Sequence, residues 1–303
     1  MQRESDRRFR RGLVWAVVVI LAVIWLGLWQ WERIRGLFVA REPQPALVVP
    51  PGPVEEESPG EPSPASIKRS LLEQHWVEAT GSAPAWPGDL SAPPDCTSAE
   101  QELMAICRRL DARDYVGERL QGGGTCGLLR QVTEELAAHR PSVASELKSY
   151  PAMLANVFHL FRVVGRKRLE IPREILRQDA DRIEPISMVA YRWLISRESC
   201  VSADGAEVRL EALYEYAAFL TQTLGGQAYL RRRSPRVEAL TGFYALLILD
   251  QAVERKMNPH GIDLRPEIRR YRELMETQPL LFRDEYVEAL DQMSSRWEKR
   301  SSR

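Results

Sequence analysis

Eighteen consecutive uncharged residues at positions 12–29, Gly-Leu-Val-Trp-Ala-Val-Val-Val-Ile-Leu-Ala-Val-Ile-Trp-Leu-Gly-Leu-Trp, constrain this chain more than any other feature. As a helix they extend about 27 Å, close to the thickness of the hydrocarbon core of a bilayer. No water in that core can satisfy backbone amides, so such a block crosses only as a helix. Gln30 and Trp31 extend it toward the headgroups, with Trp15 at one end and Trp25, Trp29 and Trp31 toward the other, where an aromatic belt would lie. A single transmembrane helix is expected over residues 12–31, in contact with membrane lipid.

Arg3, Arg7, Arg8, Arg10 and Arg11 precede the block, and Arg33, Arg35 and Arg41 follow it. The excess on the first side predicts a cytoplasmic tail at residues 1–11 and an extracytoplasmic remainder, as in a single-pass protein of a bacterial inner membrane with its body in the periplasm. A cleaved signal peptide also begins basic and continues apolar, but this apolar region is long for one. No Ala-x-Ala follows it, and Ala40 has Phe38 two residues before it. An uncleaved anchor is the expectation.

A linker is predicted over residues 32–95. Residues 41–65 hold eight prolines, a composition that cannot bury enough apolar surface to order itself. In polyproline geometry that stretch spans up to roughly 75 Å. Within the linker, residues 66–80 place Ile67, Leu71, Leu72 and Trp76 on one helical face. Such an island helix either docks on the main body or binds a partner. The net charge of zero hides an asymmetry, since the first forty residues carry seven Arg against three acids. The rest holds 35 basic and 39 acidic side chains, which argues against nucleic-acid binding.

Residues 96–303 read as one all-α domain. Thr97 and Glu100 suggest a capping box ahead of Leu103, Ile106 and Leu110 at helical spacing. Further helices are predicted after Thr125, over 142–150 and 152–164, from Pro172, after Pro185, and over 208–224 with Gly225-Gly226 as its stop. Ser234-Pro235 opens the longest helix, whose middle, residues 240–249, is apolar on nearly all sides and is expected at the centre of the core. Asn258-Pro259-His260-Gly261 turns the chain, and Tyr286, Leu290, Met293 and Trp297 form a stripe on the last helix. No repeat of solenoid length is evident.

All four cysteines, Cys96, Cys107, Cys126 and Cys200, follow the apolar block. An even count in an oxidising compartment suggests disulfides, while the absence of Cys-x-x-Cys and the scatter of the four His give no zinc site. In a regular helix Cys107 lies about 14 Å from the helix start, beyond the reach of Cys96. The pairing expected is Cys107 with Cys126, clasping a helical hairpin, and Cys96 with Cys200, pinning the end of the linker to the domain. Each bond would contribute about 2 to 4 kcal/mol.

Candidate chemistry is sparse. Gly122-Gly123-Gly124-Thr125 precedes a helix as phosphate loops do, but lacks their Lys and strand, so a turn that lets Cys126 meet its partner is the expected role. His159 flanks an apolar stripe without a nucleophile pattern and reads as a core-edge residue. Arg166, Lys167 and Arg168, and Arg231, Arg232 and Arg233, follow predicted helix ends, where cations complement the dipole. If both clusters met on one face they would form an anion patch for an acidic partner or an anionic envelope polymer. Glu198-Ser199 with Ser202, Asp204, Gly205 and Ala206, and later Gly226-Gln227-Ala228-Tyr229-Leu230, resembles a short part of the lytic transglycosylases, helical envelope enzymes with one catalytic glutamate. That resemblance implies Glu198 as a general acid in a cleft. The Gly-Leu-Met-Gln and Ala-Tyr-Asn elements of that family are absent. The expectation is therefore a membrane-anchored binding or scaffolding protein, without a cofactor or metal and partnered by another envelope protein, with a transglycosylase-like enzyme or an anionic-ligand module as the alternative.

Overall fold

The computed structural model describes residues 64–301, except 118–119, 121–123, 144–148, 199 and 201–207. The chain divides into Met1–Glu61, which contains no described residue, and Pro62–Arg303. The expected tail at 1–11, the expected span at 12–31 and the linker up to residue 63 thus lie outside the described residues. Among those described, no helix is long and apolar enough to cross a membrane.

The second unit is all-helical, with no strand among the described residues. Its α-helices are α1 (Pro64–Thr80), α2 (Cys96–Asp111), α3 (Asp114–Gly117), α4 (Gly124–Ala138), α5 (Tyr150–Val157), α6 (His159–Val164) and α7 (Arg166–Gln178). A 3-10 turn (Ala180–Arg182) leads into α8 (Ile183–Ser196). Then come α9 (Leu210–Gln222), α10 (Leu224–Arg231), α11 (Pro235–Glu254), α12 (Arg265–Glu276) and α13 (Arg283–Ser301).

The apolar run of α11 does what its composition requires: Leu240, Phe243, Leu246 and Leu249 are fully buried, and α8, α9, α10, α12 and α13 pack around it. On α13 the stripe of Tyr286, Leu290, Met293 and Trp297 is buried against this core. A smaller core joins α2, α3, α4, α7 and α8 through Leu103, Ile106, Val116, Cys126, Ile171 and Trp193. The α8 helix serves both cores, with Tyr191 and Ile195 in the larger and Val189 and Trp193 in the smaller.

Several local expectations are corrected. The cap of α2 is Asp95, whose side chain accepts from Ser98 N at 3.0 Å, whereas Glu100 is drawn away from the helix end to Arg130 and to Trp193 Nε1. Pro172 lies inside α7 rather than opening it, and Pro185 falls in the first turn of α8, where a missing N–H costs little. Gly225-Gly226 do not stop α9. Thr223 breaks the chain there, accepting from Gly226 N at 3.2 Å and donating to Phe219 O at 2.7 Å. The two glycines sit in the first turn of α10 because a Cβ would stand 2.3 Å from Asn156 Oδ1 at Gly225 and 2.0 Å from Phe219 O at Gly226.

Residues 64–95 are part of the body rather than a free linker. Trp76 and Leu90 join the main core, and Tyr191 donates to Leu90 O at 3.0 Å. A Pro-rich composition conceals these anchors because only a few large side chains in it need burial.

Candidate functional site

The cysteines stand in two pairs at disulfide distance. Cys96 and Cys200 are 5.6 Å apart between Cα atoms, and Cys107 and Cys126 are 5.5 Å apart, both inside the span a disulfide requires. Cys107 and Cys126 lie in the smaller core between α2 and α4. At the same corner Asp111, at the end of α2, accepts from Thr125 N at 2.7 Å and from Thr125 Oγ1 at 2.5 Å. That carboxylate occupies the N-terminus of α4, so the amide an incoming anion would need there is already bonded. Gly124 has φ +64, a backbone conformation suited to glycine, while residues 121–123 of the same turn lie outside the described residues.

Glu198 follows the end of α8, and Arg255 Nη1 donates to its two oxygens at 2.6 and 2.7 Å. A general acid must present a protonated oxygen to a glycosidic bond. Here both oxygens face a guanidinium, and neighbouring residues 199 and 201–207 lie outside the described residues. His159 is buried, and burial holds its imidazole below the usual value. It contacts Tyr216 Oη at 2.8 Å, and that hydroxyl donates to His139 O at 2.8 Å, a hydrogen-bond chain that leads from the buried imidazole to the surface and includes no nucleophile. Among the described residues no group of three or more His, Cys, Asp or Glu side chains is placed to hold a metal ion.

The two basic clusters sit at opposite kinds of helix end: Arg231 and Arg232 close α10, where cations complement the dipole as expected, whereas Arg166, Lys167 and Arg168 form the first turn of α7, where they oppose it. Arg166 pairs with Glu170 at 3.6 Å on its own helix, Arg168 pairs with Glu135 of α4, and Arg233 lies 4.4 Å over the Tyr229 ring. Lys167, Arg231 and Arg232 are exposed.

Of the two roles expected for the helix at residues 66–80, the structure shows docking on the body, with Trp76 in the core; the partners that seat it were not legible in the sequence. Arg182 Nε donates to Glu78 Oε2 at 2.9 Å and Arg182 Nη1 to Asp179 Oδ1 at 2.9 Å. Asp179 is buried and also accepts from Tyr115; burial and the Asp179 charge raise the Tyr115 phenol well above its usual value. Beside this network Trp76 meets Phe282 edge-on at 5.0 Å, and Trp86 meets Tyr286 at 5.1 Å. Phe282 is itself held by Glu184 of α8, whose carboxylate accepts from Leu281 N at 2.8 Å and Phe282 N at 3.0 Å. Burial outweighs those two donors and pushes the Glu184 carboxyl up to about 7. A groove of about 430 Å³ runs between residues 80–87 and helices α2 and α8, floored by Trp76, Met188 and Val189 with Arg192 and Glu102 at its rim. The apolar face with Leu72 and Trp76 was the signal for this dock in the sequence, whereas ion pairs across elements leave no local periodicity.

The fold and its faces define an all-α body with a packed N-terminal strap and two cysteine pairs, and no assembled catalytic constellation among the described residues. No family model matches the chain, and no curated protein or solved structure matches it.

Proposed function

We propose that the chain is a single-pass protein of a bacterial inner membrane that acts as a binding or scaffolding component of the envelope. Residues 12–31 form its anchor, residues 1–11 lie in the cytoplasm and the helical body in the periplasm. The observation that carries this reading is the pairing of all four cysteines at disulfide distance, which suits an oxidising compartment, downstream of an apolar block long enough to cross a bilayer. The mechanism is positional. The anchor confines the body to the membrane plane, the Pro-rich spacer sets its reach, and the body presents its faces at a raised local concentration to another envelope protein. The Glu198–Arg255 pair argues against the transglycosylase-like alternative, since both oxygens of that carboxylate already accept from a guanidinium, which favours the ionised form over the protonated one a general acid needs.

Spheroplasts expressing the full chain provide the test. The chain should stay with membranes through alkaline extraction, external protease should remove the body, and no cysteine should alkylate before reduction. Four reactive thiols behind a sealed cytoplasmic membrane would overturn the reading. Glycan cleavage by the purified chain that disappears in Glu198→Gln would replace the scaffold with an enzyme.

A further inference from the structure

The α5 and α6 helices form an almost continuous rod, since Phe158 N donates to Leu154 O and Arg162 N to Phe158 O, each at 3.0 Å. Along it Tyr150, Leu154, Phe158 and Phe161 follow at intervals of four, four and three, which puts them on one stripe. The opposite face, with Asn156 and His159, is buried. The three rings of the stripe point outward, Tyr150 68% exposed, Phe158 51% and Phe161 48%, with Leu154 half-buried between them. The α10 helix covers that opposite face, with Gly225 N donating to Asn156 Oδ1 at 3.0 Å, and leaves the stripe open. These two packed segments are free of acids. Residues 149–169 carry Arg162, Arg166, Lys167 and Arg168, and residues 216–237 carry Arg231, Arg232, Arg233 and Arg236, with no Asp or Glu in either. The acids that reach them come from other elements, Glu135 to Arg168, Asp181 to Arg236 and Glu267 toward Arg231, apart from Glu170 just beyond the first segment.

Large apolar side chains that stay solvent-exposed in a folded domain mark a surface that is covered in use. Aromatic rings flanked by cations, with no anions between them, match the interface of an anionic bilayer, where rings enter the headgroup boundary and Arg or Lys meets phosphate. We propose that the α5–α6 stripe, with the cations that follow it at Arg162 and Lys167, is a docking face for an anionic phospholipid surface, and that it lays the body onto the membrane. The inference builds on the anchored reading in one respect: a tethered body always has a bilayer within reach.

The test uses the full chain in lipid nanodiscs of phosphatidylcholine alone or with phosphatidylglycerol, read by hydroxyl-radical footprinting of ring side chains. With phosphatidylglycerol, oxidation of Tyr150, Phe158 and Phe161 should fall by about tenfold, the change from half-exposed to buried, while the already buried Phe282 stays constant. Arg162→Glu with Lys167→Glu should restore labelling, as should high salt, and both changes lie on outward side chains. Equal labelling in the two lipids overturns the proposal, and so does protection that grows with chain concentration, which would assign the stripe to a second copy. A chain that does not enter nanodiscs but floats with phosphatidylglycerol vesicles, and loses this in Phe158→Ser with Phe161→Ser, keeps the docking face and removes the anchor. A chain that neither inserts nor floats removes both.

Discussion

A carboxylate buried on α8 holds the start of another helix. Glu184 accepts from two consecutive amides at Leu281 and Phe282, immediately before α13, and those amides would otherwise be unsatisfied donors at a helix end. Desolvation nonetheless dominates and lifts the carboxyl from 4.5 to about 7. Between those values the folded chain binds more proton at this site than the unfolded chain does. Its contribution is therefore fully present below pH 4.5 and is lost as pH rises through 7, a decline of at most about 3 kcal/mol. Glu184→Gln keeps one acceptor and no titration. Chemical denaturation at pH 5 and pH 7 should show the wild type losing stability across that interval relative to the Gln variant, whose own cost at pH 5 is about 1 to 3 kcal/mol for the mismatched amide. Parallel pH profiles for the two proteins would contradict the assignment. Nothing in the sequence distinguishes Glu184 from the other glutamates near helix starts, because its partners lie nearly a hundred positions away in sequence.

At the scale of elements, close approach of α11 and α12 depends on Gly242. A Cβ there would lie 1.9 Å from Tyr271 Cε1, and Tyr271 is fully buried, so its ring has nowhere to retreat. Gly242→Ala should destabilise the body by about 1 to 3 kcal/mol through overpacking, although alanine is the better helix former by about 1 kcal/mol. Equilibrium unfolding decides the sign, and a stabilised variant would mean that the two helices separate freely. Elements were legible wherever one face carried a repeating apolar stripe: the α13 stripe and the apolar centre of α11 are buried as their periodicity requires. They were misread where a residue's reason was tertiary. Gly225-Gly226 looks like a helix stop and is instead a close approach to Asn156 and Phe219. Glu100 looks like half of a capping box, but Arg130 and Trp193, which lie far along the chain, bind it more closely. The α5–α6 run is strongly apolar in sequence, yet apolarity alone could not reveal that Phe158 and Phe161 face outward, since that depends on which side α10 covers. The basic clusters were visible as charge runs, and their separate partners, Glu135 for Arg168 and the Tyr229 ring for Arg233, were not.

For the molecule as a whole, the strap decides how any tether transmits position to the body. A chain leaving the body through a loose linker would let it tumble, whereas here α1 is seated by the Trp76 ring against Phe282 and by the Glu78–Arg182 pair. Trp86 and Leu90 continue the seat, and the strap ends at Cys96 within disulfide distance of Cys200. The apolar contacts outweigh the ion pair, because a partly exposed charge pair contributes about 1 kcal/mol or less while truncating a buried Trp costs about 3 to 5 kcal/mol. Trp76→Ala should therefore release α1 locally, and Glu78→Gln should scarcely affect it. Native-state hydrogen exchange reads the difference by segment. In Trp76→Ala the α1 amides should exchange roughly a hundredfold or more faster, while those of α11 keep their protection, as expected for a seat that opens separately from the central core. If α1 and α11 accelerate together, the strap belongs to the same cooperative unit as the core, and the body could not be oriented from its N-terminal end without being unfolded.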